Sequence, residues 1–170
     1  MPEKKTIERA RRDKAEGKAA STQAGEFVRE EIEHVREGKH GVRSAKQAIA
    51  IGLSKARRAG VNLPAPPPGK ISNKARKNAQ RAYARGHGAT AARPPSARRA
   101  RAARKALERE DRSAASTKSL RAQARVAATH RTARERSDAA KEASRTKGPA
   151  RRKAAARKAA RTRGRRKMLG

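Results

Sequence analysis

Four histidines, His34, His40, His87 and His130, carry the readiest metal and acid–base chemistry in this chain, and their scatter argues against both. His34 and His40 lie six residues apart with no third ligand at a spacing suited to zinc, and there is no cysteine. No metal centre and no cofactor are expected. Glu30, Glu31, Glu33 and Glu37 resemble paired carboxylates only superficially. Beside Arg29 and Arg36 on a charged helix face they read as surface ion pairs. No Ser/His/Asp order and no glycine-rich phosphate loop is present, so the expectation is a protein that is not an enzyme.

Phosphate neutralisation is the chemistry that the composition favours. Residues 70–170 hold 33 Lys and Arg against 6 Asp and Glu, whereas residues 1–69 hold 15 against 9. Charge of one sign repels itself until a polyanion neutralises it, and Lys/Arg contacts to phosphate drive association by releasing counterions. The densest cluster is Arg151, Arg152, Lys153, Arg157, Lys158, Arg161, Arg163, Arg165, Arg166 and Lys167, which are expected to contact phosphates. Base stacking is not expected, because Phe27 and Tyr83 are the only aromatics. The expected partner is therefore double-stranded DNA, bound with little sequence preference, and structured RNA or the ribosome is the alternative. No membrane partner is expected, since the basic stretch lacks the apolar face of an interfacial helix.

The elements that must carry these charges are helical. Residues 1–21 read as a charged arm, frayed or disordered. Residues 22–63 read as a helical hairpin. In its first helix Val28, Ile32 and Val35 fall at i, i+4 and i+7 with Phe27 beside them, and residues 38–41 (GKHG) break it. In the second, Ser44 and Gln47 fit a capping box, Ile49, Leu53 and Ala56 form a stripe flanked by Ala48 and Ile51, and Gly60 with Val61 fits a helix stop. The predicted hairpin core is Phe27, Val28, Ile32, Val35, Ile49 and Leu53. Two short helices rarely bury enough surface alone, which points to a structural or dimerising module, with a homodimer formed through the hairpin. A DNA-reading helix-turn-helix and a protein-docking site are the other readings.

Residues 64–69 form a proline-rich hinge where the domain boundary is expected, and residues 70–170 an Ala/Arg/Lys-rich basic tail. In the tail a short helix is predicted around Tyr83, with breaks at residues 86–88 and at Pro94-Pro95. Leu107, Leu120 and Val126 are too sparse for a core, so the tail is expected to be disordered or helical only on binding. The expected fold class is mostly α plus disorder. Within the tail the pattern A-A-[KR]-x-A-x-R-T-[KR]-G occurs at residues 139–148 and again, sixteen residues later, at 155–164.

Residues 25–41 (GEFVREEIEHVREGKHG) and 46–60 (KQAIAIGLSKARRAG) resemble a family of small basic bacterial proteins of uncharacterised function. Its members pair a KQAIAI-L helix with a long Ala/Arg/Lys tail. The resemblance implies a bacterial source and a DNA-binding label. The stretch Lys153-Ala154-Ala155-Ala156-Arg157-Lys158-Ala159-Ala160 is similar in composition to linker-histone tails, which implies polyanion binding. No run is apolar enough for a membrane helix, and the start lacks a secretory h-region. The expected location is cytoplasmic and nucleoid-associated.

Overall fold

A computed structural model describes residues 2–88 and 96–168, with side chains other than those of Thr146, Lys147, Arg151, Arg165, Arg166, Lys167 and Met168. The expected break at Pro94-Pro95 lies outside the described residues. The chain is mostly helical, with no strand among those residues: α1 (Lys4–Ala15), α2 (Ala20–Arg36), α3 (Ala45–Arg58), α4 (Asn73–Gly86), α5 (Ala97–Glu108), a 3-10 turn (Ser113–Ala115), α6 (Thr117–Thr129) and α7 (Ala133–Met168). It divides into two compact units, Met1–Arg125 and Val126–Gly170.

The hairpin of α2 and α3 is the centre of the first unit. Phe27 and Val35 are buried on α2, while Val28, Ile32, Ile49 and Leu53 are partly buried. On α3 the face turned inward is Ala45, Ala48, Gly52 and Ala56, rather than the stripe led by Ile49 and Leu53. Small residues win that face because the two backbones nearly touch. A Cβ at Gly52 would sit 2.6 Å from Val28 Cα, so only glycine fits there. The larger Leu53 and Ile51 pack along the edges of the seam.

Both ends of α3 close as their residues dictate. Ser44 Oγ accepts from the Gln47 amide at 3.2 Å, and Gln47 Oε1 accepts from the Arg43 amide at 3.0 Å. The return bond of the capping box thus falls one residue early. At the far end Val61 N–H donates to Ala56 O and Gly60 N–H to Arg57 O, both at 3.1 Å, with Gly60 at φ 85°. That pair of bonds is a Schellman stop, and it carries Val61 into the core beside Phe27.

Contacts to the hairpin come from both sides of it. The N-terminal arm is a helix, α1, whose Thr6, Ala10 and Asp13 are buried at i, i+4 and i+7 against α2. Short side chains give little hydrophobic signal in sequence, yet they let α1 lie close, with Ile7 against the Phe27 cluster. On the other side α4 packs on α3 through Ala79 and Ala82. The proline segment between them is pinned: Arg57 Nε donates to Leu63 O at 2.9 Å, Arg76 Nε to Pro66 O at 3.3 Å, and Tyr83 Oη to Asn62 Oδ1 at 2.7 Å. Burial lowers the pKa of the Arg57 guanidinium.

The long α2–α3 turn is explained by residues 107–115, which dock on it. Gly41 N–H donates to Leu107 O at 2.9 Å and Val42 N–H to Asp111 O at 3.0 Å. Ala114 and Ala115 then join Val35, Val42 and Ala48 in a second buried cluster. The first unit therefore continues past the expected hinge to Arg125.

In the second unit no described side chain is buried. Thr132 and Glu135 form a full capping box, the Glu135 amide donating to Thr132 Oγ1 at 3.2 Å and the Thr132 amide to Glu135 Oε2 at 2.8 Å. α7 breaks at Gly148, at φ 65° and ψ 169°, followed by Pro149. The first repeat copy ends in that break, and the second, which has no proline after Gly164, runs on as helix.

Candidate functional site

Two places concentrate chemistry-bearing residues: the exposed basic helices and a buried charged cluster between α2 and α3. Of the ten basic residues singled out from the sequence, Arg151, Arg165, Arg166 and Lys167 lie outside the described side chains. Arg152, Lys153, Arg157, Lys158, Arg161 and Arg163 are all exposed on the part of α7 beyond Pro149. Lys153, Arg157 and Arg161 stand at i, i+4 and i+8, a single row along the helix, with Ala155 and Ala159 on the opposite side. None of the three pairs with a carboxylate among the described residues. Arg152 is different: its Nη1 donates to Ser144 Oγ at 3.0 Å and its Nε to Gly148 O at 3.4 Å, so it braces the break. It also lines a shallow groove with Ser137, Lys141, Ser144 and Arg145.

α5 is the basic helix that the sequence reading left unmarked. Ser96 Oγ caps it by accepting from the Arg99 amide at 3.5 Å, and none of its residues is buried. Arg98, Arg101 and Lys105 share one face at i, i+3 and i+7, opposite Ala100, Ala103 and Leu107. The available signal was that spacing, hidden because every neighbouring window is equally basic. Unlike the row on α7, this one is tied to a packed unit through the bonds of Leu107 and Asp111 to Gly41 and Val42.

The second place corrects the surface reading for Glu30 and Glu31, whereas Glu33 pairs with Arg29 at 3.0 Å and Glu37 with Lys39 at 3.0 Å on the surface. Glu30 and Glu31 are 3 % and 1 % exposed. Glu30 accepts from the Glu3 amide at 3.1 Å and from Lys55 Nζ at 3.2 Å. Burial alone would raise its pKa, but the Thr6 hydroxyl, the Glu3 amide and Lys55 together hold it below the ordinary 4.5. Glu31 Oε2 lies 2.7 Å from Lys55 Nζ, an ion pair by distance. Its Oε1 lies 3.3 Å from His40 Nε2, and neither oxygen has a partner in hydrogen-bond geometry. His34 stands nearby, its Nε2 2.9 Å from Glu3 Oε1, and the His34 and His40 rings meet edge to face at 6.5 Å. The hydrogen bond to His34 and then that to Lys39 lower the Glu3 pKa.

This architecture defines an α-helical protein with an ionised interior seam and uncovered basic helices. Residues 11–66 match the profile of a family of unknown function (DUF6496), a match over about a third of the chain that takes in α2, α3 and the seam. No curated protein and no solved structure shows a significant match. No described helix is long and apolar enough to cross a membrane.

Proposed function

We propose that the protein is a non-enzymatic, largely sequence-neutral DNA-binding protein of the nucleoid-associated kind, similar in its mode of action to linker histones. It would act by neutralising backbone phosphates with its basic helices. The observation that carries this reading is the row Lys153, Arg157 and Arg161 on α7, exposed and without carboxylate partners among the described residues, in a chain of net charge +33. Such a row is kept soluble by its own repulsion and offers nothing to a protein core, but it suits a string of phosphates. Because no described side chain of the second unit is buried, its helix would depend on phosphates to screen its charges. Residues 126–170, rather than the whole basic tail from residue 70, would in this way be disordered or partly helical when free and ordered on DNA.

Duplex affinity measured against salt tests the reading, with single-stranded DNA and folded RNA as competitors. The expected result is a steep log–log slope, with about 0.9 per phosphate contacted, and preference for duplex DNA. Reversing Lys153, Arg157, Lys158, Arg161 and Arg163 to Glu should cost most of that affinity. A shallow slope with weak binding to all three nucleic acids would discard the proposal, and a steep slope with RNA preferred would replace DNA with structured RNA.

A further inference from the structure

The buried carboxylate of Glu31 faces an imidazole nitrogen across a gap that neither group closes with a hydrogen bond. Glu31 is 1 % exposed, and its Oε1 and His40 Nε2 are 3.3 Å apart. The other nitrogen of His40 is already committed: Nδ1 lies 3.0 Å from Gly41 O, so Nδ1–H donates to that carbonyl in the neutral ring. That bond leaves a lone pair on Nε2, 3.3 Å from a carboxylate oxygen. Two acceptors facing each other at this distance repel unless a cation lies between them, whether a proton or a metal ion.

The geometry favours a metal. Ligands held ~2.0–2.1 Å from a tetrahedral zinc are themselves about 3.4 Å apart. The His40–Glu31 pair stands at that spacing already. A third ligand is at hand, since one ligand atom each from Glu31, His34 and His40 lie within 4.8 Å of one another. Glu31 and His34 share a face of α2 at i and i+3, a spacing that metal-binding bundles use for carboxylate and imidazole. His40 arrives from beyond the Gly38 turn, held by its bond to Gly41 O in the manner of ligating histidines, whose second nitrogen donates to a carbonyl or carboxylate. Lys55 does not block the site, because it sits on Oε2 of Glu31 and has a second anchor in Glu30 Oε1 at 3.2 Å.

We propose that Glu31, His34 and His40 form a binding site for a divalent transition metal, zinc by the chemistry of a two-nitrogen, one-oxygen set, that ties the α2–α3 turn to the C-terminal turns of α2. Three protein ligands leave a fourth position to water. The sequence hides this site because His34 and His40 alone are two ligands, and Glu31 looks like one more charge on a charged helix.

The test is a zinc titration of the metal-free full-length chain in competition with a chromophoric chelator, with cobalt(II) as a spectroscopic substitute. One equivalent should bind, with the intense visible absorption of tetrahedral cobalt, and zinc should raise the melting temperature. His34→Ala and His40→Ala should each weaken zinc at least tenfold, while His87→Ala and His130→Ala should leave it unchanged. Ligating residues matter at least as much as their supporting partners, whose loss costs ~10–100-fold. As a readout independent of any variant, zinc should shift the ring resonances of His34 and His40 and not those of His87 and His130. Binding that is no tighter than that of free imidazole, or unchanged in both His34 and His40 variants, or seen at other ring resonances, would overturn the proposal and leave the cluster as a protonated ion-pair network.

Discussion

Glu30 shows at the scale of one residue how an acidic side chain is kept ionised inside the helical unit. Its carboxylate collects the Thr6 hydroxyl, the Glu3 amide and Lys55, three donors from two segments, the start of α1 and the last turn of α3. A folded-state pKa below the ordinary 4.5 means that the unfolded chain binds the proton more readily. The stability this group contributes is therefore present above the unfolded value and is lost as pH falls through the folded one. Glu30→Gln keeps the shape but turns an amide toward donors, and should cost about 1–3 kcal/mol near neutrality. The measurement is urea unfolding of both proteins from pH 7 down to pH 3. The gap between them should narrow below the ordinary carboxylate range, and parallel curves would show that Glu30 is not held ionised by these partners. Sequence could not reveal this state. A glutamate at position 30 looks identical whether its helix face meets water or α1, and α1 itself is too polar to announce that it packs.

Among the elements, legibility followed how local each cause is. The caps of α3 could be read from the residues because Ser44, Gln47, Gly60 and Val61 act within one turn of one another. The inward face of α3 could not, because close approach selects Ala48, Gly52 and Ala56, and hydrophobicity alone points to Ile49 and Leu53. Least visible was the docking of residues 107–115 on the α2–α3 turn, a pairing between segments far apart in sequence. That docking rests on Gly41, where a Cβ would overlap the carbonyl oxygen of Glu110. Gly41→Ala should force the strands of chain apart, break the bonds to Leu107 and Asp111, and expose Ala114 and Ala115. An overall cost of roughly 2–4 kcal/mol is expected from the lost bonds and packing. Faster tryptic cleavage at Arg109 and Arg112 should accompany the drop in the urea midpoint. A variant as stable and as resistant as the parent would show that the segment does not dock.

For the whole molecule the decisive quantity is where charge sits relative to packing. Residues 1–125 carry 32 basic and 12 acidic side chains, and residues 126–170 carry 16 and 3. The first unit thus bears the larger net charge in absolute terms, yet it has two buried clusters to hold it together. The second has no described buried side chain and the higher charge per residue. Self-repulsion is therefore opposed by packing in one unit and, on the proposed function, by phosphate in the other. Ending the chain at Arg125 separates the two contributions. The shortened protein should unfold cooperatively with a melting temperature within a degree or two of the full chain, because the core clusters lie entirely before that residue. Its DNA affinity should fall and its salt slope should shrink without vanishing, since Arg98, Arg101 and Lys105 on α5 remain. A slope equal to that of the full chain would mean that residues 126–170 contact no phosphate, and binding would then have to be assigned to the helical unit alone. A slope of zero would place all of the phosphate contacts beyond Arg125 and leave the basic face of α5 without a part in binding.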